Sequence, residues 1–191
     1  MPQVSVGMPI YNNPRHLEQA IDSLLAQTFT DFELLISDNA STNPRIREIC
    51  EGYAARDPRV QYFRQPSNIG MFENFDYVFT HTHAPFFMWA SDDDVWEPPF
   101  MARGMAALAA DPKKSAWFCQ FDYVDEKDKV LETYQPIGDF VARQSKRETL
   151  MKFLMHKTHE IGVLPSALFR RESVVEPSRV MYENRDVEGA D

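Results

Sequence analysis

Asp92, Asp93 and Asp94 stand in an uninterrupted row inside the stretch FFMWASDDDVWEPP, just after the apolar run Phe86–Ala90. Three adjacent carboxylates repel one another, and nothing in a strand requires them. A divalent cation would relieve that repulsion, because hard cations take oxygen ligands from Asp and from substrate phosphates. The plainer reading is a solvated acidic loop that precedes a helix N-terminus, where negative charge is mildly favourable. The position of the row in the chain favours the first reading.

The elements that must carry these residues are legible from periodicity. Val4–Ile10 is a β-branched, apolar run, a buried strand that ends in Tyr11-Asn12-Asn13-Pro14. Asn13 is expected to cap the next helix with Pro14 at its first position. That helix places Leu17, Ala20, Ile21, Leu24 and Leu25 on one face. Phe32–Ile36 is a second strand, stopping at Ser37-Asp38-Asn39-Ala40-Ser41. Asn43-Pro44-Arg45 repeats the capping chemistry before a helix with Ile46, Ile49, Cys50, Tyr53 and Ala54 inward, which makes Cys50 a core residue. Val60–Phe63 is a third strand, followed by Arg64-Gln65-Pro66-Ser67-Asn68. A helix over Gly70–Thr82 turns Met71, Phe72, Phe75, Val78 and Phe79 inward. The fourth strand leads into the acidic row, and its helix presents Met101, Met105 and Leu108.

Four strand–helix alternations with short connections imply an α/β fold: a doubly wound, mostly parallel, Rossmann-like sheet with helices on both faces. After Asp111-Pro112 the pattern changes. Ala116–Val124 and Lys129–Tyr134 read as a hairpin around the turn Asp125–Asp128. Lys146–His156 reads as a helix and Ile161–Phe169 as strand or loop.

At 191 residues the chain is long enough for one domain with a sizeable core. Twenty Lys and Arg against 29 Asp and Glu give a formal charge of −9. That balance argues against a nucleic-acid polymer as partner, which would need a basic face. A single nucleotide is compatible with it, because a metal can neutralise the phosphates. Cys50 and Cys119 fit neither a metal-ligand spacing nor a disulfide framework, so a reducing, cytoplasmic compartment is expected. The N-terminal stretch lacks the features of a signal peptide, and no apolar run is long enough to span a membrane.

Ligands of open parallel sheets bind outside the carboxyl ends of the strands. There this sequence sets Pro9, Tyr11 and Asn12, then Asp38 and Asn39, then Arg64, Gln65 and Asn68, then Asp92–Asp94. An aromatic ring, a hydrogen-bonding carboxylate, amides and a triple carboxylate suit a nucleoside diphosphate. Asp38 is expected at the sheet edge and outside the core. Neither G-x-G-x-x-G nor G-x-x-x-x-G-K-[ST] occurs, so the phosphates fall to a metal.

The segments VSVGMPIYNN, SLLAQTFTDFELLISDNAST, QPSNIGMFEN and WASDDDVWEP resemble, in order and spacing, the family-2 glycosyltransferases of the GT-A fold. The resemblance covers Val4–Phe100 well and the rest more loosely. It implies a metal-dependent, inverting transfer of a sugar from a nucleoside-diphosphate sugar, of the UDP or dTDP type, to an acceptor hydroxyl. Polysaccharide or cell-surface glycan synthesis is the implied setting. A sugar or glycan-lipid acceptor would bring the protein to the inner face of the membrane. It further implies that Pro9, Tyr11, Asn12, Asn39, Gln65 and Asn68 line the nucleotide pocket, that Asp38 bonds the base, and that Asp92 lies on the ribose side. Asp93 or Asp94 would hold Mg²⁺ or Mn²⁺, and the register leaves open which of the row coordinates directly. Residues 1–110 would form the nucleotide-sugar half of a single GT-A domain, and 111–191 the start of the acceptor half.

One departure from the family pattern is Glu73, which stands where many members carry an arginine before the residue matching Asn74. Glu73 is expected on a solvated helix face, with Arg64 or Arg15 supplying the missing cation. The family's general base falls in an acidic patch after the metal element, which here is Tyr182–Asp191. Asp191 fits best by its place at the end of the patch, with Asp186 and Glu188 as alternatives. His156 and His159 read as structural, and Trp89 and Trp96 as core and pocket wall. The chain ends at Gly189-Ala190-Asp191 without a closing element, so a truncated acceptor half is expected. Two other readings are a nucleotide-binding module without a complete acceptor site, and a metal-dependent nucleotidyltransferase or phosphatase. The latter would want a nucleophilic Asp or a basic phosphate loop, and neither is found.

Overall fold

A computed structural model of the chain describes residues 1–134 and 167–174. Strands β1 (Val4–Ile10), β2 (Phe32–Asp38), β3 (Val60–Arg64) and β4 (Phe86–Trp89) alternate with helices α1 (Leu17–Leu25), α2 (Pro44–Arg56), α3 (Met71–Thr80) and α4 (Phe100–Ala110). Then come β5 (Ala116–Phe118), β6 (Phe121–Val124), β7 (Val130–Tyr134) and β8 (Ala167–Arg170). The main sheet runs β3-β2-β1-β4-β8-β5, while β6 and β7 form a separate ribbon. The first four strands pair in parallel, and β8 pairs antiparallel with both β4 and β5. This is the doubly wound, mostly parallel sheet that the alternation of elements predicts.

Period-two alternation sorts the strand side chains between two cores. Val4, Val6, Met8, Ile10, Leu34, Ile36, Met88 and Leu168 pack with the apolar faces of α1, α2 and α4. Leu35, Phe87, Trp89, Ala167 and Phe169 pack with Phe75, Val78 and Phe79 of α3. Helices therefore cover both faces. Gly7 explains how closely α3 approaches: a Cβ there would lie 2.6 Å from Val78 Cγ2 and 2.8 Å from Phe87 Cζ. Cys50 is fully buried, and desolvation pushes its thiol up to about 12, as expected of a core residue.

Two neighbouring arginines lock β8 onto the helix ends. Arg171 donates to the Phe79 and Ala84 carbonyls, at 2.8 and 2.7 Å, and to Thr82 Oγ1 at 2.8 Å. Arg170 reaches the Leu108 carbonyl near the end of α4. Each guanidinium also lies over aromatic rings, Arg170 on Phe86 and Arg171 on Phe79 and Phe87.

Several expectations are corrected. Ala116–Val124 is not one strand of a hairpin. Its first part, β5, joins the main sheet through β8, and only Phe121–Val124 pairs with β7. Asn13 does not cap α1, which begins at Leu17 with His16 at its N-cap and no side-chain bond there. Asn43 does cap α2, accepting from the Arg45 N–H at 3.0 Å with Pro44 following it. Met71 is exposed, because it opens α3 at the sheet's rim and not over its face. The helix read at 146–156, residues 161–166 of the last strand reading, His156, His159 and the acidic patch at 182–191 lie outside the described residues.

Candidate active site at the carboxyl edge of the sheet

The ladder of backbone bonds runs one residue past the strand ends and draws four loops to one edge. Asn39 N–H donates to the Ile10 carbonyl at 2.9 Å, Gln65 N–H to the Asp38 carbonyl at 2.8 Å, and Ala90 N–H to the Gly7 carbonyl at 2.9 Å. The direction of winding reverses between β1 and β4, where ligands of such sheets bind. Asn13 spans that gap, its Nδ2 donating to Asp92 Oδ1 at 3.2 Å. The residue expected to cap a helix instead ties the β1 loop to the acidic row.

Asp92 is half-buried, whereas Asp93 and Asp94 are exposed. Burial, with the Asp93 charge adding to it and the Asn13 bond and His16 opposing it, pushes the Asp92 carboxyl up to about 6. The protein packed around Asp94, then the charges of Asp93 and Asp92, push it up to about 6 as well, although its own surface faces solvent. Ser91 donates its hydroxyl to Asp93 Oδ1. Burial and neighbouring charge thus act together on the row, against which Asn13 and Ser91 set one hydrogen bond each. Among the described residues no three His, Cys, Asp or Glu converge into a ready-made cage. The donors on offer are hard carboxylate oxygens, which suit Mg²⁺ or Mn²⁺ provided that phosphate oxygens and water complete the coordination. On that chemistry the row fits a divalent cation.

The β1 and β2 loops are stapled to each other. Asn12 adopts a left-handed backbone with φ of 54°, and Ala40 one of 59°. Asn12 Oδ1 accepts from the N–H groups of Thr42 and Asn43, at 2.8 and 3.0 Å, and the Asn12 N–H donates to Ser41 Oγ at 2.9 Å. Tyr11, which precedes Asn12, is 47% exposed at the edge, and Pro9 is half-buried in β1.

Asp38 closes β2 where predicted, but it is 1% exposed, not peripheral. Its Oδ1 accepts from the Ser41 N–H at 2.8 Å, and its Oδ2 accepts from the Tyr62 hydroxyl at 2.9 Å with Arg64 Nε 3.5 Å away. Burial and the Asp38 carboxylate raise the Tyr62 phenol well above its usual range. Removing Asp38 would take the acceptor from the Ser41 N–H and the Tyr62 hydroxyl and the ion-pair partner from Arg64. Asp38→Ala is therefore expected to lower folding stability by about 1–3 kcal/mol. A urea midpoint unchanged from wild type would show that the carboxylate does not hold these loops.

The amides are equally committed. Asn39 Nδ2 donates to Asn68 Oδ1 at 3.1 Å and to the Gly70 carbonyl at 3.0 Å, and its Oδ1 accepts from the Ile69 N–H at 2.8 Å. Gln65 Nε2 donates to Ser37 Oγ at 3.1 Å. Ser37 in turn donates to Asn74 Oδ1 at 2.6 Å, and Asn74 Nδ2 donates to the Ser37 carbonyl at 2.9 Å. Asn39, Gln65 and Asn74 are buried, so they form the floor that shapes the edge. Glu73 is half-buried in the first turn of α3, not on a solvated face. Of the cations expected to replace an arginine there, Arg64 also donates to the Ser41 carbonyl at 3.0 Å, and Arg15 pairs with Glu126 at 2.9 Å across two exposed side chains.

Sequence reasoning passed over Gln27, and the structure gives it a central place. It lies just past the C-cap of α1, its N–H still bonded to the Leu24 carbonyl at 3.2 Å, with 3% exposure. A glutamine where the 3.6-residue period calls for an apolar side chain was the available signal.

The profile of Glycosyl transferase family 2 matches residues 5–176. An uncharacterized glycosyltransferase of Rickettsia felis is 27% identical over 87% of this chain and 29% of its own length. Another, from Rickettsia typhi, is 26% identical over 93% of this chain and 54% of its own length. A third relative, an uncharacterized protein of Sinorhizobium fredii, is 29% identical over 88% of this chain. The chain spans between 18% and 54% of these relatives' lengths. Among solved structures, S. aureus TarS 1–349 in complex with UDP-GlcNAc aligns with a TM-score of 0.64 at 18% identity, over 90% of this chain and 46% of that one. A mannosyltransferase of Pyrobaculum calidifontis in complex with GDP-Man and Mn²⁺ aligns with a TM-score of 0.60 at 17% identity, over 90% of this chain and 45% of that one.

Proposed function

The chain belongs to glycosyl transferase family 2, and from that premise we propose that it transfers a sugar from a nucleoside-diphosphate sugar to an acceptor hydroxyl, with inversion and with help from Mg²⁺ or Mn²⁺. The observation that carries this reading is the acidic row that follows β4 beside β1, at the reversal of the sheet's winding. Two neighbouring carboxyls, each raised to about 6 by burial and by the adjacent charges, would gain from a divalent cation.

Residues 1–110 form the donor half and 111–191 begin the acceptor half of one domain. Tyr11 lies against the base, Asp92 faces the ribose, and Asp93 or Asp94 holds the cation. Once bound, the cation supplies charge to the diphosphate as it departs. Asp38, Asn12, Asn39, Gln65 and Asn68 act through the shape of the pocket, since the side chains of all five are bonded to neighbours. For Asp38, bonding to the base would require a share of an oxygen now given to Tyr62 or Ser41. A carboxylate of the 182–191 patch takes the acceptor proton. A glycan-lipid acceptor would place this chemistry at the inner face of a membrane, in polysaccharide or cell-surface glycan synthesis. No helix among the described residues is long and apolar enough to cross one.

Calorimetric titration with UDP, GDP and dTDP, each with and without Mn²⁺, tests the donor half. Tight binding of one nucleotide only with Mn²⁺ is expected, and indifference to metal for all three would sink the reading. A second reading is a nucleotide-binding module that holds the donor without transferring it. Metal-supported nucleotide binding without hydrolysis or transfer of the matching nucleotide-sugar would select it.

A further inference from the structure

We infer that Gln27 is a positioning residue for the acidic row, setting where Asp92–Asp94 stand relative to α4. This rests on the metal-dependent reading above. The segment after the row, Val95–Pro99, has no regular structure of its own. It is held from outside, by the end of α1. Gln27 Nε2 donates to the Glu97 carbonyl at 2.9 Å, to the Trp96 carbonyl at 3.3 Å and to the Ser23 carbonyl at 3.2 Å. Its Oε1 accepts from the Met101 N–H at 3.0 Å, filling one of the unpaired donors in the first turn of α4.

Two flanking bonds make the clamp continuous. Ser23 Oγ accepts from the Trp96 N–H at 3.2 Å, and the Thr28 N–H donates to the Pro98 carbonyl at 2.9 Å. Pro99, at the N-cap of α4, offers no side-chain bond, so one buried amide serves both the loop and the helix start. On its other side the row is tied by Asn13. The carboxylates are suspended between two clamps, and only the Gln27 clamp is deeply buried. A shift of the loop by a fraction of an ångström would matter little to the base pocket on β1 and β2. For carboxylates that would hold a divalent cation such a shift would be costly, because hard cations accept only a narrow range of oxygen distances.

The test compares wild type with Gln27→Glu, which keeps the side chain's shape and its acceptor for Met101 but loses the donors, and with Gln27→Met. UDP binding is titrated across Mn²⁺ concentrations, uridine binding is measured without metal, and thermal melts are followed by circular dichroism. Ile49→Val, a core change remote from the loop, supplies a control of lowered stability. The expected result is Mn²⁺ affinity reduced about 10–100-fold in folded Gln27→Glu, with uridine affinity within about twofold of wild type. Ile49→Val should keep wild-type Mn²⁺ affinity. Variants that respond to Mn²⁺ as wild type does, or that lose uridine, metal and melting temperature in step, overturn the role of Gln27. A wild type that binds UDP equally with and without Mn²⁺ overturns the metal reading itself, and this inference with it.

Discussion

Asp94→Asn is expected to abolish metal-supported nucleotide binding and to cut transfer by on the order of 10²-fold or more, the scale of losing a cation's charge from a departing phosphate. The same substitution should stabilise the metal-free chain at neutral pH. Asp92 and Asp94 are both raised from 3.8 to about 6, so each binds its proton more tightly folded than unfolded. The metal-free fold therefore loses stability as pH rises from about 4 to about 6 and stays at that lower level above it. Removing one of the repelling charges lifts part of that cost. A cation does the same by a different route, competing with the protons, so Mn²⁺ affinity should fall as pH drops through about 6. Melting curves and Mn²⁺ titrations between pH 4.5 and 8 read both effects, with pH values chosen to bracket the two carboxyls. A melting temperature that falls in Asp94→Asn would mean that the carboxylate is a structural partner of the loop. Asp93→Asn separates the two candidates, because the residue that holds the metal gives the larger loss.

How far the sequence foretells this site depends on whether a residue's partners are local. The strands, the helices and the shared edge follow from short-range periodicity, and the Asn43-Pro44 cap formed as read. Asn13 carries the same signal and yet bonds Asp92, 79 positions away. Capping chemistry marks a side chain that can bond backbone, but not which partner the tertiary fold will offer. Asp38 shows the same limit in energetic terms. Its place after β2 was legible, but its burial depends on Tyr62 and Arg64 arriving from β3. The division of 116–124 between two sheets was hidden because a three-residue strand pairs only with β8, some fifty positions on. Gln27 was the residue that pattern alone could have exposed, as a polar group where the apolar period of α1 runs on past Leu24.

Asp191→Asn is expected to lower the turnover number by about 10²–10⁴-fold while leaving UDP and Mn²⁺ affinities nearly unchanged. An acceptor hydroxyl is a weak nucleophile at neutral pH, and its attack on the anomeric carbon needs a carboxylate to take the proton. In an inverting transfer the attack comes from the side opposite the leaving diphosphate. Under the proposed inverting reaction the base would stand across the sugar from Asp92–Asp94, on elements other than β1 to β4. Among the carboxylates at the sheet's edge, Asp38 is already bonded to Ser41 and Tyr62, and the acidic row is the proposed cation site. The family resemblance points to the acidic patch Tyr182–Asp191, with Asp186 and Glu188 as the alternatives to Asp191. Steady-state kinetics separate the three, since loss of a base lowers the turnover number and moves the acidic limb of the pH–rate profile, whereas loss of a binding residue raises KM. Full turnover in Asp191→Asn together with its loss in Asp186→Asn or Glu188→Gln would move the proton transfer to that residue. Loss of UDP affinity in all three would place the patch on the donor side and remove it from the chemistry.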